Sequence, residues 1–165
     1  KGAALNYGIK KAKGSVVVTY DADAASPASE ISKMVKEMNG ADLVIATRYG
    51  KTKAKRSIPR LMASIAFRTI VRTLFNLNYT DTQCGLKAIK AEKARTLANQ
   101  SQVSGFVWDV ELLINAKKNG FKVKEVPVEW KEKDGGPLKA SLLKSSWKML
   151  KEIFNLYVKQ KHGTK

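Results

Sequence analysis

Two aspartates one residue apart, Asp21 and Asp23, follow a run of β-branched residues in V-V-V-T-Y-D-A-D at 16–23. A strand end needs one turn-forming Asp at most, so a D-x-D pair there raises the question of a cationic ligand. Two hard carboxylate donors suit Mg²⁺ or Mn²⁺, with substrate phosphates completing the coordination sphere. The spacing alone leaves a second reading open, in which Asp23 caps a turn and Asp21 is simply solvated.

A second concentration of charge runs from Arg48 to Arg72 and contains no acid. Arg60, Ser64, Arg68 and Arg72 recur every fourth residue, so on a helix they share one face. Guanidinium groups with a hydroxyl among them can clamp phosphates in bidentate fashion. A solvated basic face is the plainer alternative, weakened by the lack of any compensating Glu. Asp81, in D-T-Q-C-G at 81–85, is a turn residue, a general base or an acceptor-site ligand, and taken alone the turn is the plainer reading. Trp108-Asp109-Val110-Glu111 places two more carboxylates on a first helical turn, where the helix dipole favours them, so capping explains them as well as catalysis does. His162 is the only histidine, so no His-based triad or His/Cys metal site can be built.

These residues need elements to hold them. The pattern predicts a helix over 2–13 stopped by Gly14, a strand at 15–20 buried on both faces, and a helix begun by Ser26-Pro27 as cap and first turn. A strand at 42–46, a long helix from about Pro59 to Phe75 and a strand at 86–89 follow. Helices at about 91–98 and 107–119, a strand at 121–128 and a tail helix from Leu138 complete the series. The tail carries Leu143, Trp147, Leu150, Phe154 and Tyr157 on one stripe beside Lys144, Lys148 and Lys151. That suits a membrane-interface helix and a helix packed on the domain equally. Alternation of strand and helix predicts an α/β domain with a mostly parallel sheet and flanking helices. In such sheets ligands bind at the carboxyl ends of the strands, where Asp21 and Asp23 stand.

With 165 residues, 44% hydrophobic, the chain is long enough for one real core. Its formal net charge of +17 predicts attraction to polyanions: nucleic acid, an anionic membrane or phosphorylated substrates. Nucleic acid is set aside because the basic residues gather near the D-x-D strand end and no RNA- or DNA-binding motif is present. One cysteine, Cys84, excludes an internal disulfide and makes a reducing compartment the default. No apolar run reaches the ~20 residues of a membrane span. A first residue other than Met, leading directly into a helical pattern, suggests a piece of something longer.

Taken in order, several segments resemble the family 2 inverting glycosyltransferases of the nucleotide-diphospho-sugar transferase (GT-A) fold. They are KGAAL at 1–5, VVVTYDAD at 16–23, ATRY at 46–49, IPRLMAS at 58–64, DTQCGLK at 81–87, FVWDVELL at 106–113 and VPVEW at 126–130. The pair D-T-Q-C-G-L-K and W-D-V-E-L-L is far more specific than D-x-D. The nearest subgroup transfers glucose, or next mannose, to dolichyl or another polyprenyl phosphate.

The resemblance implies roles by position: Asp21 and Asp23 at the metal and sugar diphosphate, and Lys1, Arg48, Arg60 and Ser64 at the donor or acceptor phosphates. Asp81 would face the acceptor, with Arg60 beside it in the catalytic set. It further implies UDP-glucose or GDP-mannose as donor, Mg²⁺ or Mn²⁺ as cofactor, and a polyprenyl phosphate as acceptor. Location would be peripheral, on an anionic membrane's cytoplasmic face. The expected organisation is a catalytic portion at 1–137, N-terminally truncated because the family's opening strand and P-x-x-N-E segment are not in it, and a basic amphipathic helix and tail at 138–165. Ala25 stands where many mannosyl enzymes carry a metal-binding Gln, and Lys139 is displaced from the family's G-S-K loop position. The alternative is a catalytically incomplete module that binds membranes or polyanions.

Overall fold

The structure is a computed structural model that describes residues 1–49, 58–131 and 142–162, with the side chains of 58–61, 142–146 and 162 outside that description. The elements run α1 (Gly2–Lys11), β1 (Val16–Thr19), α2 (Ser29–Lys36), β2 (Leu43–Thr47) and α3 (Ile58–Phe75). They continue through β3 (Lys87–Lys90), α4 (Ala91–Gln100), α5 (Trp108–Lys118), β4 (Val123–Pro127) and α6 (Leu142–His162).

The α/β expectation holds, but the sheet is mixed rather than mostly parallel in its pairing. Its order is β1-β3-β2-β4. β1, β2 and β4 point the same way, yet β3 lies between β1 and β2 and is antiparallel to both, so only β2–β4 is a parallel pair. The reason is the loop before β3. Thr80 and Asp81 bond Thr47 and Arg48, which tethers that loop at the carboxyl end of β2. A strand starting there must run back through the sheet.

β2 is buried at every position because apolar layers cover both its faces. Leu43 and Ile45 join Val17, Ile89, Leu97, Trp108 and Leu113 on one face. Val44 and Ala46 join Met34, Met38, Leu86 and Val126 on the other. β1 does not show the two-sided burial its β-branched run predicts: only Val17 and Thr19 are buried, since β1 is an edge of the described sheet.

Ser26 is not a helix cap either. The N-cap position of α2 is Ala28 with no side-chain bond. Ser26 is buried, and its carbonyl accepts from the Tyr20 hydroxyl.

The tail helix turns a different stripe inward from the one its apolar residues suggest. Ile153 and Leu156 enter the core shared by β2 and α5, while Trp147 and Phe154 are 73% and 62% exposed. Tyr157 meets Phe75 of α3 edge-to-face at 6.0 Å. Residues of the expected tail segment therefore complete the core of the sheet domain.

Gly2 explains how α1 closes on α5. A Cβ there would lie 2.6 Å from the Val103 carbonyl oxygen and 2.8 Å from Trp108 Cβ. The amides of Gly2 and Ala3 donate to the Gly105 and Ser104 carbonyls, so the helix start cannot back away without losing them. Gly2→Ala is expected to destabilise the fold by about 1–3 kcal/mol through overpacking, read as a lower urea midpoint with an unchanged slope.

Candidate active site at the carboxyl ends of β1 and β2

Asp21 follows β1, and its carboxylate lies against the backbone of Gly85, where a Cβ would come within 2.2 Å of it. Thr19 Oγ1 donates to the Gly85 carbonyl at 2.7 Å, pinning that glycine beside the strand. The G of D-T-Q-C-G is thus the residue that leaves space for the acid of D-A-D. Asp23 sits on the turn beyond. Its Oδ1 accepts from the Ala25 amide at 3.1 Å, and the Ala24 amide donates to the Asp21 carbonyl at 3.0 Å. Ala24 adopts a left-handed φ of 50°, a cost that a non-glycine bears only where the surroundings enforce it. The turn reading of Asp23 is therefore realised, with one carboxylate oxygen engaged in it.

Lys1 projects to the same place. Its Nζ lies 2.8 Å from Asp109 Oδ2 and 3.4 Å from Asp21 Oδ1. Asp109 is almost fully buried, and its other oxygen meets the buried Lys87 Nζ at 2.5 Å. Lys87 also donates to the Cys84 carbonyl at 2.5 Å. Burial pulls the Lys1 pKa down, but the charges of Asp109 and Asp21 and their hydrogen bonds outweigh it and leave the ammonium above its ordinary value. The W-D-V-E segment is no cap: α5 begins without any side-chain cap bond. Trp108 packs on Gly2, Asp109 takes the two lysines, and Glu111 accepts from Ser101 Oγ and the amides of Gln102 and Val103. Asp109 joins the candidate site through Lys1, and Glu111 holds a loop.

A second cluster stands at the end of β2. Arg48 forks onto Asp81, Nε to Oδ2 at 2.6 Å and Nη2 to Oδ1 at 2.9 Å. Asp81 also accepts from the amides of Arg48 and Gln83. Burial pushes the Asp81 carboxyl up, but the Arg48 hydrogen bonds and charge outweigh that and hold it below the usual carboxylate value. Glu125 of β4 accepts from the amides of Thr80 and Asp81, fixing the loop. The Arg48 guanidinium lies 5.6 Å from the Trp130 ring centroid. Ser64 of α3 shares a 2.9 Å hydrogen bond with the Tyr49 hydroxyl, and Arg68 stacks over the Tyr49 ring at 5.0 Å. Arg48, Tyr49, Ser64, Arg68 and Asp81 line one polar pocket.

Residues 1–97 match the family described as Glycosyl transferase family 2. The chain belongs to that family. This family 2 domain is 34% identical over 148 residues to a dolichyl-phosphate beta-glucosyltransferase of Trichomonas vaginalis, covering 86% of this chain and 46% of the relative. It is 30% identical to the dolichyl-phosphate beta-glucosyltransferase of Saccharomyces cerevisiae, covering 93% and 50%. It thus spans about half the length of the curated relatives it matches. Among solved structures, the glucosyl-3-phosphoglycerate synthase of Mycobacterium tuberculosis in complex with uridine-diphosphate is similar with a TM-score of 0.61. That match has 19% identity and covers 85% of this chain and 49% of that one. The likeness shows the fold, which is the expected GT-A architecture.

Within the family 2 domain the structure brings Lys1 together with Asp21, and Arg48 together with Asp81 and the Ser64 pocket. Arg60 lies in α3, but its side chain falls outside the described residues, as do Lys51, Lys53, Lys55 and Arg56 of the acid-free run and the Gly135–Lys139 stretch. Sequence reasoning missed Lys87 and left Asp109 between two roles. The available signal was a lysine inside an otherwise apolar strand segment, since a lysine is seldom fully buried without a paired acid. Asp21 and Asp23 supply hard oxygen donors, and no cluster of three or more acidic, His or Cys side chains surrounds them among the described residues. That donor set fits a hexacoordinate Mg²⁺ or Mn²⁺ completed by phosphate oxygens and water, and does not fit a structural cage.

Proposed function

We propose that this domain serves transfer of a hexose, glucose before mannose, from a nucleoside diphosphate sugar to dolichyl or another polyprenyl phosphate with inversion. The observation that carries the reading is that the carboxyl end of β1 carries an acidic pair with Lys1 on Asp21, while the carboxyl end of β2 in the same sheet carries a fixed guanidinium, Arg48. The likeness to dolichyl-phosphate beta-glucosyltransferases supports dolichyl phosphate as acceptor and glucose as the sugar.

Asp21 and Asp23 would hold Mg²⁺ or Mn²⁺, which would neutralise charge on the leaving diphosphate. Arg48, held by Asp81, offers phosphates a preorganised guanidinium, and Lys1 adds a second positive charge. Ser64 and the Tyr49 hydroxyl offer hydrogen bonds, and Arg60 extends the basic row. An acceptor phosphate oxygen attacks the sugar's anomeric carbon as the bond to the diphosphate oxygen breaks, so one displacement inverts the centre. The acceptor is already an anion and needs no base. Asp81, with its depressed pKa and four accepted hydrogen bonds, orients Arg48 instead of removing a proton.

Among the described residues no helix is long and apolar enough to cross a membrane. Exposed Trp147 and Phe154 beside Lys148 and Lys151 support peripheral attachment at an anionic cytoplasmic face. The +17 charge also favours a second reading, a catalytically incomplete module that binds anionic surfaces.

Calorimetry with Mn²⁺ and either UDP-glucose or GDP-mannose decides between them. Saturable, Mn²⁺-dependent binding that weakens at least about tenfold in Asp23→Ala is expected, as for loss of a metal-site residue. Retention on anionic vesicles without binding of any sugar nucleotide would leave only the module reading standing.

A further inference from the structure

The charges around Asp21 do not pair off as the contact distances first suggest. Asp109 and Lys87 form a buried ion pair at 2.5 Å, both side chains almost without solvent contact, and are already neutral together. Lys1 approaches Asp109 to 2.8 Å and therefore brings a surplus positive charge to a neutral pair. Among the described residues, Asp21, 3.4 Å away and about half-exposed, is the acid that balances it. Lys1 is thus anchored on the buried partner and electrically matched to the exposed one. Gly2 makes this possible by letting α1 start in contact with Trp108, the neighbour of Asp109, while Gly85 holds the Asp21 carboxylate within reach.

We propose that Lys1 is a built-in counter-ion for Asp21, occupying its charge until a divalent cation arrives and then turning to the donor diphosphate while Asp109 keeps its anchor. The inference rests on the metal reading of Asp21 and Asp23. An ammonium competing for the same carboxylate lowers affinity for a free divalent cation, because like charges at this separation repel in a partly buried site. Once phosphates join the cation, the same ammonium becomes favourable. The arrangement disfavours metal without donor and favours the two together, so it couples the two binding steps. Asp109 and Lys87 act here as positioning residues.

The test separates the two effects by sign. Mn²⁺ alone is titrated by electron paramagnetic resonance at low salt into the protein, Lys1→Met and Lys1→Arg, and UDP is titrated separately with chelator present. Lys1→Met is expected to bind free Mn²⁺ about tenfold more tightly and metal-free UDP about tenfold more weakly, and Lys1→Arg to restore both. A merely structural role moves both affinities the same way, so parallel weakening overturns the proposal. Equal Mn²⁺ affinity in protein and Lys1→Met overturns it while leaving the metal reading intact. Unchanged UDP affinity overturns the turn to the diphosphate. Failure of both the protein and Lys1→Met to bind Mn²⁺ overturns the counter-ion role and the metal reading together.

Discussion

Asp109→Ala is expected to cost about 3–5 kcal/mol of stability, the range for breaking a buried ion pair by removing one partner. In a domain of this size that corresponds to a fall in melting temperature of roughly 10 °C. The carboxylate is reached by Lys87 at 2.5 Å and Lys1 at 2.8 Å. Without it, Lys87 stays buried with the Cys84 carbonyl as its one remaining partner among the described residues. An ammonium in that setting must lose its proton or draw water into the core, and either is costly.

The double substitution Lys87→Met with Asp109→Leu removes both charges and keeps the volume, and should recover most of the lost stability. It should not recover donor binding, because Lys1 then has no anchor. Calorimetric melting of the single and double variants, with UDP-glucose titrations of each, checks both statements. A double variant as unstable as Asp109→Ala would show that the loss comes from packing rather than from the unpaired charge.

The second large effect concerns Asp81. Asp81→Asn leaves Arg48, whose side chain is only 22% exposed, facing an amide in place of a carboxylate. A loss of about 3 kcal/mol at neutral pH is expected, with weaker phosphate binding as the guanidinium loses its fixed orientation. The pH dependence distinguishes this from general damage. Asp81 has a folded-state pKa below its ordinary 3.8. The pair's contribution is therefore fully present above about pH 4 and is lost as pH falls through the lower folded-state value. Melting temperatures from pH 7 to 2.5 should fall steeply at the acid end in the wild-type protein and less steeply in Asp81→Asn. Identical acid limbs would mean that the Arg48–Asp81 pair adds nothing to stability.

The α/β alternation, the helix boundaries to within a few residues and the placement of Asp21 and Asp23 at a strand's carboxyl end were legible in the sequence. Each depends on local periodicity or on short-range turn chemistry, which the chain carries without reference to distant parts. The ordered motifs also pointed to the glycosyl transferase family that the match over residues 1–97 shows.

What lay beyond reach was set by contacts far apart in the chain. β3 runs antiparallel between β1 and β2 because Asp81 is tied to Arg48, and periodicity carries no strand direction. α6 offers two apolar stripes, and only the packing of α3 and α5 decided that Ile153 and Leu156, not Trp147 and Phe154, turn inward. The W-D-V-E segment suited capping and catalysis equally, because a first helical turn favours acids in either role. Its actual partners are Gly2 for Trp108 and Lys1 and Lys87 for Asp109. An acid's role follows from which charges the fold brings to it and from how little water is left there, and both are properties of the assembled structure.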